Sequence, residues 1–269
     1  SEFPPIYEAY LIDKLNIALP EPGTPKWKKR KQESAELRKK NVAAYLSICS
    51  EIKADPKYAS SVMVFQMSDM CVRDYLHQLD LIFKGANCST EKFLSEKIPF
   101  RIQHEALKQA SQEKCASIPQ SGVNAPVETG SIIRGLAEVT AIIQSKSEEN
   151  EHLRSSERGQ FVLAIPSSPD SAVESLLRTI KEAAEAGFLR LIEIDEQHLK
   201  FRVHKSLAAE FGFSYRGSYY SYPLDWSEID RLRKVKSKKE LDHIVVSITK
   251  RAKTTDNQTL PLFPEHDSI

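Results

Sequence analysis

The residues with the clearest chemical potential are basic side chains in the second half of the chain. Residues 198–204 alternate apolar and polar side chains, which predicts a strand with one packed face and one basic face. Lysine and arginine side chains can neutralise the phosphates of nucleic acids. The pattern therefore predicts a phosphate-binding surface on this strand, its partner strand and the following loop. The predicted contacts are Arg190, Lys200, Arg202, Lys205 and Arg216.

Aromatic side chains are concentrated directly after these cations, between residues 211 and 226. Aromatic faces can stack on exposed bases, and aromatic rings also fill protein cores. Both interpretations are open for this cluster. Its members are Phe211, Phe213, Tyr215, Tyr219, Tyr220, Tyr222 and Trp226.

A second basic block lies near the start of the chain, beside Trp27. This block could neutralise phosphates while the indole ring stacks on a base, or it could be the solvated beginning of a helix. The residues predicted to contact nucleic acid here are Lys28, Lys29, Arg30 and Lys31.

No catalytic signature accompanies these basic residues. The sequence contains no phosphate-binding glycine loop, no H-E-x-x-H metal motif and no G-x-S-x-G nucleophile motif. His104 and His204 are isolated in the sequence, which favours packing or surface roles over catalysis. We therefore predict no catalytic residue, no metal site and no enzyme activity for this chain.

The composition is that of a globular chain with a local basic footprint. The 269 residues are 41% hydrophobic and 28% charged, with a net charge of +1. No apolar run approaches the roughly 20 residues of a membrane helix, so a cytoplasmic location without membrane contact is expected. The chain begins Ser1-Glu2-Phe3 without methionine, which suggests a vector remnant on a fragment of a longer protein.

Four elements in the second half are expected to hold the basic residues in place. Residues 130–144 and 171–187 have helical apolar spacing, and the second helix has capping side chains at Asp170 and a stop at Gly187. Residues 159–165 read as a strand that pairs with the ribbon formed by 189–194 and 198–204. Helix, strand, helix and ribbon in this order predict a winged helix-turn-helix domain.

Residues 35–118 are predicted to be helical throughout. Ser68 and Asp69 are candidate caps for a helix that closes at Gly85, and residues 91–118 read as two shorter helices broken at Pro99. The overall prediction is a mainly α (α+β) protein. Its four parts are an extended, proline-rich and basic segment (1–34), a helical domain (35–124), a winged-helix domain (125–235) and a basic segment with a polar tail (236–269).

Two stretches resemble a known family. The run from Ser68 to Leu76, Ser-Asp-Met-Cys-Val-Arg-Asp-Tyr-Leu, resembles the lid helix of origin-recognition-type AAA+ ATPases, although the turn has no glycine here. The stretch from Phe201 to Tyr220 resembles the tail of the winged domain in bacterial members. The resemblance implies a helical lid followed by a winged helix, and it matches Arg73 to the sensor arginine that contacts nucleotide phosphates.

This resemblance implies DNA as a partner, other subunits of a complex as further partners, and ATP as a cofactor of a longer parent rather than of this chain. The outer face of the 171–187 helix has Glu174, Glu182 and Glu185, which is unsuited to base reading. We therefore expect docking on DNA mainly through phosphates. The alternative is a protein-interaction module that packs on a partner subunit of a bacterial machine.

Overall fold

The computed structural model describes residues 42, 45, 46, 48, 49, 52–118, 127–145, 158–216 and 220–255, and the fold is given for these residues alone. They are mostly helical and include a four-stranded sheet, which confirms the predicted α+β class. The helices are α1 (Ser61–Met67), α2 (Val72–Ala86), α3 (Thr90–Ser95), α4 (Phe100–Ala116), α5 (Val127–Ser145), α6 (Ser171–Glu185), α7 (Ala208–Phe211), α8 (Trp226–Arg233) and α9 (Lys238–Thr255). The strands are β1 (Arg158–Ala164), β2 (Leu189–Ile194), β3 (His198–Val203) and β4 (Tyr220–Leu224).

The helical half is built on the contact between α2 and α4. Gly85 lies inside α2, where a Cβ would come within 3.1 Å of Ile102 Cγ2, so this glycine permits close packing of α2 on α4. The prediction that α2 closes at Gly85 is wrong, because the helix continues to Ala86 and ends on Asn87 in the left-handed conformation. The predicted break at Pro99 is confirmed, since α4 begins directly after it.

The turn between α1 and α2 differs from its prediction. The Ser68 hydroxyl donates to the Phe65 carbonyl, and Asp69 is buried, so neither side chain caps α2. Asp69 and Met70 have φ angles of 54° and 64°, in the left-handed region that glycine adopts most easily. The turn therefore keeps a conformation suited to glycine although it contains none, and it directs the Asp69 carboxylate into the protein.

The second half has a winged-helix-like order of elements, α5, β1, α6 and the β2–β3 ribbon. The predicted pairing of β1 with the ribbon is confirmed, because β1 runs antiparallel to β3 with Phe161 opposite Phe201. The sheet order is β2-β3-β1-β4, and β4 runs parallel to β1 at the edge. The strand β4 lies where the sequence suggested a loop, and its Pro223 is tolerated because β4 is an edge strand.

Local signals at both ends of α6 act as predicted. The Asp170 side chain accepts a hydrogen bond from Val173 N at 2.8 Å, which caps the helix N-terminus. Gly187 has a φ angle of 79°, and Phe188 N donates to Ala183 O at 2.9 Å. This tight ending leads the chain from α6 directly into β2.

The helices α8 and α9 pack on α5. A Cβ on Gly135 of α5 would lie 2.5 Å from Leu232 Cδ2 and 3.1 Å from Leu241 Cδ1, so any side chain at this position would force these leucines to shift. Residues 236–255 therefore do not form only a basic segment and tail, because four apolar residues of α9 are buried. These residues are Leu241, Ile244, Val245 and Ile248.

The two halves share one hydrophobic core among the described residues. Buried side chains run from Val42 to Ile248 without separating into two clusters. The Tyr58 hydroxyl bonds to the carbonyls of Ala208 and Phe213 at 3.1 and 3.0 Å, joining the helical half to the winged half. The four predicted sequence ranges remain a prediction, but the described residues before and after the predicted boundary pack against each other.

Candidate nucleic-acid interface

Arg202, predicted to face DNA, is directed into the protein. Only 9% of the residue is exposed, and its guanidinium group forms a bidentate salt bridge with the Asp69 carboxylate, with Nη1 donating to Oδ2 at 2.5 Å. Moving such a cation to a phosphate would leave Asp69 buried without its counter-ion. The interpretation of Arg202 as a phosphate contact is therefore corrected: its role is to join β3 to the turn before α2.

His204 extends this salt bridge into a buried polar network, which we define as Asp69, Asp74, Lys114, Arg202, His204 and Ser206. The Nδ1 atom of His204 lies 2.7 Å from Ser206 Oγ and 3.7 Å from Asp74 Oδ2. Lys114 Nζ of α4 donates to Asp74 Oδ2 at 2.8 Å. The network therefore joins α2, α4, the turn before α2 and the end of β3.

The environment of this network shifts two pKa values. Burial lowers the pKa of His204 from its ordinary 6.5 to about 4, which outweighs the attraction of the Asp69 carboxylate. Burial alone would raise the pKa of Asp69, but the hydrogen bonds and charge of Arg202 lower it overall. At neutral pH the network thus contains a neutral histidine and an ionised Asp69.

The remainder of the ribbon, which we call the wing ribbon (residues 189–203), carries mixed charge. Lys200 Nζ lies 3.8 Å from Glu193 Oε2, while Arg190 is exposed on β2. At the hairpin tip, Asp195 accepts backbone hydrogen bonds at 2.7 and 2.6 Å from Gln197 and His198. Since Glu196 adds another carboxylate at this tip, carboxylates outnumber exposed cations along the ribbon, and it does not form the basic face that alternation predicted.

The other predicted phosphate contacts differ in position. Lys205 is half-buried and its backbone N donates to Asp69 Oδ2 at 3.4 Å. Arg216 is half-buried and its backbone N donates to Ser214 Oγ at 3.1 Å. The predicted block of Lys28, Lys29, Arg30 and Lys31 lies outside the described residues. The described cations thus do not converge on one surface of the ribbon.

The aromatic cluster belongs largely to the core. Phe213, Tyr215 and Tyr222 are buried, and the Tyr222 hydroxyl donates to the Ile248 carbonyl at 2.6 Å. Trp226 is half-buried and its Nε1 donates to Ala164 O at 2.6 Å. These rings are held by packing and hydrogen bonds, which favours the core interpretation over base stacking.

Arg73, matched by resemblance to a nucleotide-sensing arginine, lies on the outer side of α2. Its side chain is 75% exposed, and its Nε is 3.8 Å from Asp74 Oδ1. It lines an open groove of about 450 Å³ together with Lys114 and Phe188. A Cβ on Gly187 would lie 3.8 Å from Arg73 Nη2 and 3.4 Å from Lys114 Nζ, so both cations point towards the same backbone segment.

Beside Arg73 the protein exposes several large apolar side chains of α1, α2 and the turn between them. Val72 and Leu76 are more than half exposed, because α2 instead buries Asp74, Gln78 and Ile82. The bond between Asp74 and Lys114 fixes this rotation of the helix. We call the resulting surface the α1–α2 ridge. Its members are Val62, Phe65, Met70, Val72 and Leu76.

The densest run of exposed cations among the described residues lies elsewhere, between α8 and α9. Residues 231–239 contain six lysine or arginine residues and no carboxylate. We call this segment the α8–α9 corner. Its exposed cations are Arg231, Lys234, Lys236, Lys238 and Lys239. The composition of this segment and a short helix over residues 225–233 are visible in the sequence, but the helix α9 that follows required the structure.

Two features are absent from the described residues. No group of three histidine, cysteine, aspartate or glutamate side chains there could hold a metal ion. Within the same residues, no helix has the length and hydropathy needed to cross a membrane.

Comparison with known proteins provides the family. A family model described as ORC-CDC6-like matches residues 3–224, which is most of the chain. No curated protein and no solved structure matches the chain. The match covers both the helical half and the winged-helix-like half, and it agrees with the resemblance carried by the Ser68–Leu76 run. The chain therefore belongs to the ORC-CDC6-like family.

Proposed function

We propose that this chain docks on DNA as part of an AAA+ ORC/CDC6-type protein, mainly through contacts with phosphates. ORC/CDC6-like proteins bind DNA and act in complexes. The observation that supports the proposal most strongly is the winged-helix-like order of α5, β1, α6 and the wing ribbon in a chain of this family.

The charge of α6 favours phosphate contact over base reading. Glu174, Glu182 and Glu185 are exposed on this helix, against the exposed cations Arg178 and Lys181. A helix that reads base edges in the major groove must approach two rows of phosphates, where carboxylates are repelled. Docking therefore relies on cations outside the α6 surface, with little dependence on DNA sequence.

The test is fluorescence anisotropy with labelled duplex and single-stranded DNA at about 50 and 200 mM salt, where phosphate contacts weaken strongly. We expect affinity to fall at least tenfold over this range and to differ little between unrelated duplex sequences. An excess of unlabelled duplex controls for binding to the dye. No binding at the lower salt concentration would contradict the proposal.

The α1–α2 ridge supports a second candidate function, which is docking on a partner subunit. Phe65 and Tyr75 stack edge to face with ring centroids 6.3 Å apart, so part of the ridge is a fixed aromatic surface. Exposed apolar side chains grouped in this way are typical of protein interfaces. An apolar interface responds weakly to salt, unlike phosphate contacts.

The ridge can be tested with a tagged chain in a nuclease-treated extract at high salt. Val72→Asp combined with Leu76→Asp should abolish capture of a partner subunit. Lys92→Asp combined with Lys97→Asp is the matched control, because both lysines are exposed on the same half of the protein. Equal capture of the same proteins by the ridge variant would exclude the ridge as their interface.

We further propose that Arg73 contacts the phosphates of a nucleotide. Its exposure and the nearby Lys114 support this role, because a largely exposed planar cation loses only a 3.8 Å contact with Asp74 when it binds a polyphosphate. Arg73→Ala should weaken binding of a fluorescent ATP analogue about tenfold or more, the effect of one charged hydrogen bond. Arg101→Ala, which alters another exposed arginine, should bind as the unmodified chain does. Equal affinity of the Arg73 variant would contradict this role.

The chain itself is expected not to hydrolyse ATP, because its sequence lacks a phosphate-binding glycine loop and every catalytic motif considered above. A phosphate-release assay with purified chain, ATP and Mg²⁺ should stay at background. Release that rises with protein concentration and survives repurification would show that this expectation is wrong.

A further inference from the structure

The α8–α9 corner combines high positive charge with few internal partners. Asp230 binds Arg233 Nη2 at 2.6 Å and Lys234 Nζ at 2.5 Å, so two of the six cations already have a carboxylate. Within the described residues, Arg231, Lys236 and Lys239 form no ion pair. Their charges are therefore available to an external anion.

Hydrogen bonds and packing hold the corner in one conformation. Glu240 N donates to Ser237 Oγ at 3.3 Å, and the Glu240 carboxylate accepts from Lys236 N at 2.9 Å. This reciprocal arrangement resembles a capping box and uses Glu240 for the backbone rather than for a lysine side chain. On the inner side, Leu232 and Leu241 seat the two helices against Gly135.

The placement of lysines at the start of α9 runs against local electrostatics. Lys238 and Lys239 occupy the first turn of this helix, where the helix dipole favours anions and disfavours cations. Lys238 interacts with the Glu138 carboxylate of α5. Burial raises the pKa of Glu138, and the positive charge of Lys238 opposes this rise. Departures from a local rule are expected at functional surfaces.

We propose that the α8–α9 corner is the main phosphate-binding surface of this chain and that it binds the backbone of duplex DNA. This inference rests on the proposed DNA docking and specifies where it takes place. The corner fits duplex DNA better than single strands because residues 227–255 contain no phenylalanine, tyrosine or tryptophan to stack on unpaired bases. Duplex DNA also has the higher phosphate density.

The wing ribbon fits this role less well. Its Arg202 is committed to Asp69, and its Lys200 faces Glu193. The corner instead presents its cations without a carboxylate between residues 231 and 239. A polyanion that approaches the protein therefore meets a stronger positive potential at the corner than at the ribbon.

The test replaces four exposed cations of the corner by glutamine, namely Arg231→Gln, Lys236→Gln, Lys238→Gln and Lys239→Gln. Affinity for duplex DNA is measured by anisotropy across a salt series. The slope of log affinity plotted against log salt concentration decreases in magnitude by about 0.9 for each phosphate contact that is lost. The four changes should therefore lower its magnitude by about 3 to 4. The unmodified chain should bind single-stranded DNA with lower affinity than duplex DNA.

The matched control has the same change in net charge in the helical half, through Lys84→Gln, Lys92→Gln, Lys97→Gln and Arg101→Gln, all at exposed positions. We expect the slope of this control to differ from that of the unmodified chain by no more than about 0.9, the value of one phosphate contact. Circular dichroism melting of both variants confirms that they are folded. If the unmodified chain binds duplex DNA and the corner variant keeps its slope, the corner is excluded while DNA docking stands.

Two other outcomes would also overturn the inference. Failure of the unmodified chain to bind DNA would remove DNA docking itself. Displacement of the chain from duplex DNA by poly-L-glutamate at an equal concentration of charge would assign the corner to an acidic protein partner instead.

Discussion

The wing ribbon and the α8–α9 corner both contain several cations in the sequence, but the fold uses these charges differently. In the ribbon, Arg202 points inward to Asp69 and Lys200 faces Glu193. In the corner, Arg231, Lys236 and Lys239 have no ion pair among the described residues. A cation in a predicted binding element therefore indicates a nucleic-acid contact only if it does not already form a salt bridge with a carboxylate of the protein.

The largest expected effect concerns the internal role of Arg202. Arg202→Ala would leave the Asp69 carboxylate buried without its partner, so we expect a loss of about 3 to 5 kcal/mol in the free energy of unfolding. Arg190→Ala is the matched control, because Arg190 lies opposite Arg202 in the ribbon but is exposed. It should cost less than about 0.5 kcal/mol. Urea unfolding measures both, and a stable Arg202 variant with weakened DNA binding would reverse our assignment.

The second prediction uses pH to destabilise the buried polar network that holds Arg202. Asp69, Asp74, Lys114 and Arg202 surround His204, whose pKa falls from 6.5 in the unfolded chain to about 4 in the fold. Between these values the unfolded state binds more protons, so the free energy of unfolding decreases as pH falls through this window. The expected loss is about 3 kcal/mol from a shift of this size.

Urea unfolding at pH 7, 5.5 and 4.5 measures this dependence. The lowered pKa of Asp69 adds a further loss only at more acidic pH, near its ordinary value of 3.8. His204→Gln should be less stable at pH 7 and should have a shallower dependence between pH 6.5 and 4.5. An unchanged dependence in this variant would show that other groups cause it.

The third prediction alters the packing of α8 and α9 on α5 and leaves the charges of the α8–α9 corner unchanged. Gly135→Ala would place a Cβ 2.5 Å from Leu232 Cδ2, and overpacking of this kind costs about 1 to 3 kcal/mol. Because the shift displaces α8 and α9, affinity for duplex DNA should also fall. Gly85→Ala is the matched control, since its Cβ would meet only Ile102 Cγ2 at 3.1 Å, away from the corner. Unchanged melting and DNA affinity for Gly135→Ala would contradict this account of the support.

The smallest expected effect is on the wing ribbon. Arg190→Gln combined with Lys200→Gln should change the salt slope by less than about 0.5, because Lys200 lies near Glu193 and the tip is acidic. A decrease of about 1.8 would instead mean that both cations contact phosphates. The same salt series on duplex DNA distinguishes these results.

Local patterns predicted the elements better than the directions of their side chains. Asp170 and Gly187 marked the ends of α6 because a cap and a left-handed stop depend on adjacent residues only. The alternation in β3 was also visible, but the partner of Arg202 lies 133 residues away, at Asp69. No local pattern contains that contact, so the inward direction of Arg202 could not be predicted.

The sequence of α9 contains a helical pattern, but its many charged residues favoured the prediction of a solvated segment. Leu241, Ile244, Val245 and Ile248 have helical spacing in the sequence, while the surrounding lysines suggested a solvated segment. Strand β4 had less signal, because Tyr220–Leu224 contains a proline, which argues against a strand inside a sheet. Only pairing with β1 makes it a strand. Tertiary contacts thus determined the parts that the sequence missed.

The most direct test of the central claim is lysine footprinting, in which lysines are acetylated with and without saturating duplex DNA and quantified by mass spectrometry. One sample then reports on both regions. We expect DNA to protect Lys236, Lys238 and Lys239, while Lys200 and the distant Lys92 react equally in both conditions. Protection of Lys200 with no protection at the corner would contradict it and return the DNA contact to the wing ribbon.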